Sequence, residues 1–142
     1  MRIEAERDLV ASAEDVWQLL AEPYHLSDWW PGYVAVRPDR RGLSDGARWT
    51  VVRSSDPGLL RKPGGEGVIV IGPINRGRSL AWRDLEQGFA AEIRLDRGAG
   101  GLSRARIQLD APWWRIQVEG LRPLPSRALT RLHELCQTAA SL

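Results

Sequence analysis

Three consecutive segments between residues 79 and 110, each alternating apolar and polar residues, constrain the fold of this chain most. They read Ser-Leu-Ala-Trp-Arg-Asp-Leu-Glu, Phe-Ala-Ala-Glu-Ile-Arg-Leu-Asp and Ser-Arg-Ala-Arg-Ile-Gln-Leu-Asp. Alternation with a period of two is typical of strands that bury one face and expose the other. The turn residues Gln87 and Gly88 separate the first two segments, and a glycine-rich loop over residues 97–101 separates the last two. The sequence therefore predicts a curved antiparallel sheet.

A two-residue turn at Gln87 and Gly88 predicts the pairing within this sheet. Trp82 then faces Ile93, and Ile93 faces Ala105 across the following loop. Both loops give the same buried face, so the two inferences support each other. The residues predicted on that face are Leu80, Trp82, Ile93, Leu95, Ile107 and Leu109.

Charged residues occupy both faces of the predicted sheet. On the outer face the register places Glu92 between Arg83 and Arg106, a cross-strand ladder of alternating charge. The apolar face includes Asp84 and Glu86, close to the turn. A carboxylate buried without a partner is costly, so we expect both to lie near an opening, unless the strand frays there.

Length and composition set the class of protein. A chain of 142 residues predicts one domain, covering residues 1–142. The absence of a long apolar run and of a signal sequence predicts a cytoplasmic protein, and the single Cys136 is compatible with a reducing compartment. The net charge is only +2, and 19 Arg and one Lys are interspersed with acids. This pattern is typical of a solvated surface, so we expect neither a nucleic-acid partner nor an integral membrane segment.

Tryptophan is unusually frequent, with seven Trp against one Phe. Side chains this large and flat either fill a core or line a cavity for an apolar ligand. Trp17 lies on the apolar stripe of a predicted helix and is predicted to be core. Trp49 and Trp82 are predicted as core or as cavity wall. Trp113 and Trp114 cannot both face inward, so one of them should lie at a rim.

The remaining segments complete the order of elements. They predict a strand over residues 2–10, a helix capped by Ser12, a short helix from Pro23, strands over residues 33–37, 47–53 and 67–74, and a closing helix from Ser126 with Leu129, Leu132, Cys136 and Ala139 on one side. The apolar phase of the first strand points Arg7 inward, where it would need a carboxylate partner. Residues 54–65 form the longest loop, and Leu59 and Leu60 at its tip suggest a lid.

Four segments carry a resemblance to a known superfamily. They are Ala-Ser-Ala-Glu-Asp-Val-Trp at residues 11–17, Leu-Ser-Asp-Trp-Trp-Pro at 26–31, Gly-Ala-Arg-Trp at 46–49 and Leu-Ala-Trp at 80–82. The chain resembles the START / polyketide-cyclase superfamily (SRPBCC). The resemblance implies an α+β helix-grip fold, in which a curved seven-stranded antiparallel sheet (β-α-α-β6-α) wraps around a C-terminal helix. That helix is usually unbroken in the family, whereas Gly120, Pro123 and Pro125 should break it here.

The resemblance also implies a function. It predicts that a small, largely apolar molecule, lipid-like or aromatic polyketide-like, binds in an internal cavity between sheet and closing helix. The predicted ligand-binding residues are Tyr33, Trp49, Trp82, Phe89, Ile93, Ile107, Trp113 and Leu132. One alternative is a polyketide cyclase or dehydratase, with Asp84 or Glu86 as the base and Arg7 or Tyr33 as polar partners. The other is a chaperone cofactor or another module that binds a protein partner without catalysis.

The two ends of the predicted sheet have different characters. Loops that alternate along an up-and-down sheet share one end, which gathers Arg37, Arg40, Arg41, Arg76, Arg78 and Arg97 in the loops at residues 37–45, 75–78 and 97–101. These Arg-rich loops are either a solvated rim or a docking patch for an anionic partner, a membrane surface or a carrier protein's phosphopantetheine. The opposite end, with residues 54–65, 87–88 and 113–114, is predicted to hold the cavity mouth.

Metal and cofactor chemistry is not indicated by the sequence. The two His and one Cys lie far apart without ligand spacing, so we expect no metal and no cofactor. We expect an exposed His25 and a half-buried His133 as ordinary helix residues. A monomer and a dimer are both compatible with the sequence.

Overall fold

Strands and helices of the computed structural model cover most of the residues that the structure describes, 1–54 and 63–140. The strands are β1 (Arg2–Leu9), β2 (Tyr33–Arg37), β3 (Arg48–Ser54), β4 (Pro63–Asn75), β5 (Ser79–Asp84), β6 (Phe89–Arg97) and β7 (Ser103–Asp110). The α-helices are α1 (Ala13–Ala21), α2 (Leu26–Trp29), α3 (Trp113–Val118) and α4 (Leu124–Ala140), with short 3-10 helices at Pro23–His25 and Ala99–Gly101.

The strands form one antiparallel sheet of seven strands, in the order β1-β7-β6-β5-β4-β3-β2. Strands β2 to β7 follow one another as a meander, and β1 pairs with β7 at one edge. Helix α4 packs against β1, β7 and α2. The predicted α+β helix-grip architecture, a curved sheet closed by a C-terminal helix, is confirmed.

The register within the central strands differs by two residues from the predicted one. Trp82 pairs with Ala91 instead of Ile93, because β5 ends at residue 84 and the turn takes residues 85–88. Ile93 pairs with Ile107 instead of Ala105. Side chains alternate with a period of two, so a shift of two residues keeps each side chain that remains in a strand on its predicted face. All six residues predicted on the inner face are buried.

The predicted charge ladder on the outer face is wrong for the same reason. Arg83 pairs with Ala90, so it is not opposite Glu92. Arg106 is not opposite Glu92 either, and its guanidinium contacts Glu6 on β1. The outer face is still charged, but the cross-strand neighbours are different ones.

The first strand and the first helix test two predictions made from the local sequence, one for Ser12 and one for Arg7. Ser12 caps α1 as predicted, and its Oγ accepts a hydrogen bond from the backbone N–H of Asp15 at 3.2 Å. Among the described residues, Arg7 has no carboxylate partner of the kind predicted. It is exposed and donates to the hydroxyl of Thr130 on α4 at 3.3 Å. Because β1 is an edge strand, the long side chain of Arg7 reaches water beside α4 instead of entering the core.

The closing segment is broken as the prolines and Gly120 predict. Gly120, with φ of 63°, separates α3 from α4. Helix α4 then begins at Leu124, two residues before the predicted start, and Pro125 lies in its first turn, where the missing N–H has no helical partner. Leu129, Leu132 and Cys136 are buried, but the predicted fourth residue, Ala139, is exposed.

Two further predictions concern the loop over residues 54–65 and membrane-spanning segments. The predicted lid, with Leu59 and Leu60 at its tip, falls outside the described residues. Within residues 1–54 and 63–140, no helix has both the length and the apolar character needed to cross a membrane.

Candidate functional site

A carboxylate is buried at the end of β5. Asp84 is 1% exposed and lies on the inner face of the sheet, as predicted. Its Oδ2 accepts a hydrogen bond from the Tyr33 hydroxyl at 2.8 Å. Its Oδ1 accepts from Nη2 of Arg53 at 2.5 Å and from the backbone N–H of Gln87 at 3.0 Å. The sequence indicated no partner for this carboxylate, but in the structure it is held by groups from β2, β3 and the β5–β6 turn.

Arg53 is the partner that sequence reasoning missed. Its side chain is only 10% exposed, and besides Asp84 it contacts Glu86 Oε2 through Nη1 at 2.9 Å. Glu86 itself is 64% exposed, so the prediction that it points inward is wrong: the strand has ended and Glu86 belongs to the turn. A signal for Arg53 was present in the sequence, because it continues the inward phase of Trp49 and Val51 along β3.

The Arg53 guanidinium needs a glycine on the neighbouring strand. Gly67 on β4 pairs with Val51. A Cβ at position 67 would lie 2.0 Å from Nη1 of Arg53 and 2.6 Å from its Cζ, far inside contact distance. The missing side chain at Gly67 thus provides the space in which Arg53 reaches Asp84.

Tyr33 connects this ion pair to the aromatic interior. Its hydroxyl donates to Asp84 and accepts from Nε1 of Trp82 at 3.3 Å. Burial raises the pKa of the Tyr33 phenol well above its ordinary value, and the negative charge of Asp84 raises it further. Tyr33 therefore stays protonated and remains a hydrogen-bond donor at physiological pH.

Tyr33 belongs to a set of five aromatic side chains whose rings contact one another. We call this set the aromatic cluster: Trp29, Trp30, Tyr33, Trp82 and Phe89. Trp30 lies at the centre. Its ring is perpendicular to that of Trp82 at a centroid distance of 5.0 Å and stacks on Phe89 at 5.9 Å. Each ring is almost completely buried, so the cluster fills the interior at this end of the sheet.

Four buried polar atoms in this region have no hydrogen-bond partner among the described residues. They are Nε1 of Trp29, Nε1 of Trp30, Nε of Arg53 and Oε1 of Gln87. Such an unsatisfied group costs about 1–3 kcal/mol, and native proteins contain few of them. Their concentration around the ion pair distinguishes this end of the molecule from an ordinary core.

A small pocket borders the aromatic cluster, and we call it the entrance pocket. It has a volume of about 100 Å³ and lies between the turn before β2, the β5–β6 turn and the connection from α3 to α4. Its lining includes Gly32, Gln87 and Leu124. A Cβ on Gly32 would lie 3.1 Å from Nε1 of Trp30, so that indole nitrogen lies close behind the pocket wall. The entrance pocket is at the end where the sequence predicted a mouth.

Two of the larger depressions on the described surface lie elsewhere. One, of about 620 Å³, lies largely on the outer face of the sheet over Gly72, Ala81 and Ala90, and the other, of about 520 Å³, lies between α1 and α4 beside Cys136. None of the four unpaired polar atoms belongs to a residue that lines either depression. The entrance pocket is therefore the better candidate for a binding site.

The structure brings together some of the predicted ligand-binding residues. Tyr33, Trp82 and Phe89 belong to the aromatic cluster, and Ile93, Ile107 and Leu132 are buried in the adjoining core. Trp49 is equally buried, but its Nε1 donates to the carbonyl of Gly42 at 2.8 Å, in the loop from β2 to β3. The contact of these residues with a ligand stays a prediction. Trp29 and Trp30 were not assigned to the site, although both lie in the 26–31 segment that carries the family resemblance.

Trp113 is the predicted ligand-binding residue that the structure separates from the cluster. It is 65% exposed on α3, and its neighbour Trp114 is 47% exposed, so neither of the two side chains faces inward. The reason is that Ile116 is the residue by which this six-residue helix enters the core. Arg115 holds α3 to the β5–β6 turn by donating to the carbonyl of Glu86 at 3.0 Å.

The comparisons with known proteins agree with this fold. Residues 1–136 match the family described as polyketide cyclase / dehydrase and lipid transport, and the chain belongs to that family. Protein NE0264 from Nitrosomonas europaea has 20% sequence identity and a TM-score of 0.75, over 100% of this chain and 97% of that chain. XoxI from Bacillus cereus has 15% identity and a TM-score of 0.72, over 96% of this chain and 95% of that chain.

A further solved structure, the Aha1 dimer from Colwellia psychrerythraea, has 15% identity and a TM-score of 0.68, over 96% of each chain. At this level of identity these likenesses establish the fold alone. No curated protein sequence matches the chain.

Proposed function

We propose that this protein binds a small, largely apolar molecule, lipid-like or aromatic, at the aromatic cluster, and that the ligand enters by way of the entrance pocket. The family description, which includes polyketide cyclases and lipid transport, supports this class of ligand. The observation that carries the proposal is the Arg53–Asp84 ion pair, buried within an aromatic interior.

The argument from the ion pair is energetic. Replacing a buried ion pair by well-packed apolar residues of similar volume is often neutral or stabilising, because removing two charges from water is expensive. The four unpaired polar atoms nearby add further cost. A core shaped for stability alone would avoid both features. A site that must accommodate a ligand inside an apolar interior gives them a use.

The aromatic cluster is closely packed, so binding requires movement. Trp30 contacts four other rings, and it is the ring whose edge lies next to Gly32 at the entrance pocket. We propose that the ligand enters beside Trp30 and that Trp82 and Phe89 move to line the bound molecule, while the Nε1 edge of Trp30 stays at the entrance pocket. Tyr33 and Asp84 form the polar floor of the site.

Tryptophan fluorescence tests this proposal. A flavonoid, a long-chain fatty acid and an aromatic polyketide are titrated into the protein, and we expect at least one of them to change the emission. Trp82→Phe should reduce that change, because it removes a reporter in contact with the ligand. Trp17→Phe is the matched control, a core tryptophan on α1, and should leave it intact. If none of the three compounds alters the emission of the wild-type protein, the proposal is wrong.

The cyclase alternative stays a prediction. Both oxygens of Asp84 accept hydrogen bonds from protein groups, and Arg53 forms an ion pair with it, so these contacts do not favour Asp84 as a general base. Turnover of a poly-β-keto substrate by the wild type, and its loss in Asp84→Asn with ligand binding retained, would favour the enzyme instead.

The other predictions about partners and location are also untested. A module that binds a protein partner needs exposed apolar surface, and the exposed side chains of Trp113, Trp114 and Val118 on α3 meet that requirement. An anionic partner at the Arg-rich loops and a cytoplasmic location stay predictions as well.

A further inference from the structure

We infer that the ligand carries a hydroxyl or a similar group that both accepts and donates a hydrogen bond, and that this group binds Nε1 of Trp30 and Oε1 of Gln87 at the entrance pocket. The inference rests on the proposed function and specifies the chemistry of the ligand's polar end. It is carried by two buried, unpaired atoms of opposite hydrogen-bonding character: Oε1 of Gln87, whose side chain lines the pocket, and Nε1 of Trp30, which lies behind Gly32 in the pocket wall.

The first step concerns the indole of Trp30. Two other fully buried tryptophans have their N–H groups satisfied, Trp49 by the carbonyl of Gly42 at 2.8 Å and Trp82 by the hydroxyl of Tyr33 at 3.3 Å. Trp30 is 0% exposed, and its N–H has no partner among the described residues. A buried indole N–H normally finds an acceptor. An acceptor supplied by the ligand would complete this one.

The second step concerns Gln87. Its side chain lines the entrance pocket, and its carbonyl oxygen Oε1 is buried without a partner within the described part of the chain. An amide oxygen accepts hydrogen bonds and cannot donate them. The ligand group that completes it must therefore donate. A hydroxyl meets both demands, whereas an ether or a ketone meets only that of Trp30.

The third step concerns access to the two atoms. Gly32 has no side chain to cover the indole nitrogen, since a Cβ there would lie 3.1 Å from it. The next group that a Cβ would meet, beyond Trp30 itself, is Cδ1 of Leu124, at 3.9 Å. Leu124 is half-buried and is the first residue of α4, so its side chain can rotate at modest cost. We assign it the role of the movable wall of the pocket.

The test uses three small probes of similar shape: phenol, which accepts and donates, anisole, which only accepts, and toluene, which does neither. Each is titrated into ¹⁵N-labelled protein, and affinity is read from the tryptophan indole N–H resonances. We expect phenol to bind more tightly than anisole, and anisole more tightly than toluene, by about two- to tenfold for each hydrogen bond gained. The Trp30 indole resonance should shift with phenol and anisole.

Three variants separate the two hydrogen bonds. Trp30→Phe should remove the preference for anisole over toluene, and Gln87→Met should remove the preference for phenol over anisole. Gly32→Ala serves if Trp30→Phe does not fold, because its methyl group would block the indole nitrogen without a forbidden backbone angle. We expect it to act on the preferences as Trp30→Phe does. Trp17→Phe is the control and should change neither preference.

The outcomes distinguish this inference from the proposed function. Equal affinity for the three probes at the aromatic cluster would leave the proposed function standing and overturn the inference. Preferences that survive unchanged in Trp30→Phe, Gly32→Ala and Gln87→Met would overturn it too. If none of the probes perturbs any indole resonance, the apolar-ligand function itself is contradicted.

Discussion

At the end of the sheet with the Arg-rich loops, the buried indole of Trp49 donates to Gly42, whereas at the opposite end the equally buried indole of Trp30 has no partner among the described residues. Both are tryptophans of the same interior. The difference shows that the chain is able to satisfy a buried indole where its own backbone is available. The unpaired groups at the entrance end are therefore a local property and not a general feature of this tryptophan-rich core.

The two ends of the sheet also differ in the burial and the hydrogen-bond partners of a carboxylate, that of Asp39 at one end and that of Asp84 at the other. Asp39, within the first of the Arg-rich loops, stays exposed and accepts hydrogen bonds from the backbone of Arg48 and Arg41. These contacts lower the pKa of its carboxyl group, with that of Arg48 the largest cause. Asp84 is buried and is held chiefly by the side chains of Tyr33 and Arg53. One end thus uses its acids to fix loops in water, and the other encloses an acid within aromatic rings.

Among the substitutions that test this comparison, the removal of Arg53 should have the largest effect on stability. Arg53→Ala leaves Asp84 buried without its counter-charge, and we expect a loss of about 3–5 kcal/mol in the free energy of unfolding, measured by urea denaturation. Arg97→Ala at the other end, where the pair with Glu14 is largely exposed, should change it by less than about 0.5 kcal/mol.

A double variant shows that the uncompensated charge, rather than lost packing, causes this effect. Arg53→Met combined with Asp84→Leu should recover much of the stability, because neither charge is then buried alone. Equal losses in Arg53→Ala and Arg97→Ala would mean that the two ends do not differ in the way described.

Gly67→Ala should have the next largest effect. The new Cβ would lie 2.0 Å from Nη1 of Arg53 and would push the guanidinium away from Asp84. We expect a loss of about 1–3 kcal/mol, as for other overpacked core positions, measured by the same denaturation. Gly65→Ala on the same strand is the matched control, because no atom of the described residues beyond its chain neighbours lies within 4 Å of its Cβ position. A neutral Gly67→Ala would show that Arg53 does not need this space.

The two indoles can be compared directly by substitution with phenylalanine. Trp49→Phe removes a satisfied donor and leaves the Gly42 carbonyl unpaired, whereas Trp30→Phe removes a donor that has no partner in the described residues. Both lose similar apolar area, so we expect Trp49→Phe to be the more destabilising by about 1 kcal/mol in thermal or urea unfolding. The reverse order would indicate that the Trp30 N–H is already satisfied.

The smallest expected effect is the pH dependence of stability that Tyr33 causes at alkaline pH. Its pKa is raised in the folded state, so its contribution to stability is complete below the pKa of an unfolded tyrosine and declines as the pH rises above that value. Between about pH 9.5 and about pH 10.5, we expect Tyr33 to account for a loss of less than about 1 kcal/mol. Tyr33→Phe should lack that part of the pH dependence. Parallel curves for wild type and variant over this range would contradict the raised pKa.

The sequence predicted the elements, their faces and the class of fold. Period-two alternation assigned Trp82, Ile93 and Ile107 to the inner face, and that assignment survived a register error of two residues because the error preserved the period. The capping signal at Ser12 was equally reliable. Both depend on neighbouring residues along the chain, whose effects are local.

The candidate site was only partly predictable. The inward phase of Asp84 was visible, and the phase of β3 would have pointed to Arg53 as well. The exposure of Trp113, by contrast, depends on how α3 docks, and the packing of Trp30 depends on how α2 meets the sheet.

The sequence by itself therefore determined the sheet, its buried face and the presence of an acid near one end, because alternation and capping follow from the geometry of a single strand or helix. Only the tertiary structure decided which groups meet that acid. Tyr33 and Arg53 lie 51 and 31 residues from Asp84 along the chain. Their meeting depends on loop lengths, on the register across the four strands β2 to β5 and on the space left by Gly67, which no local pattern encodes.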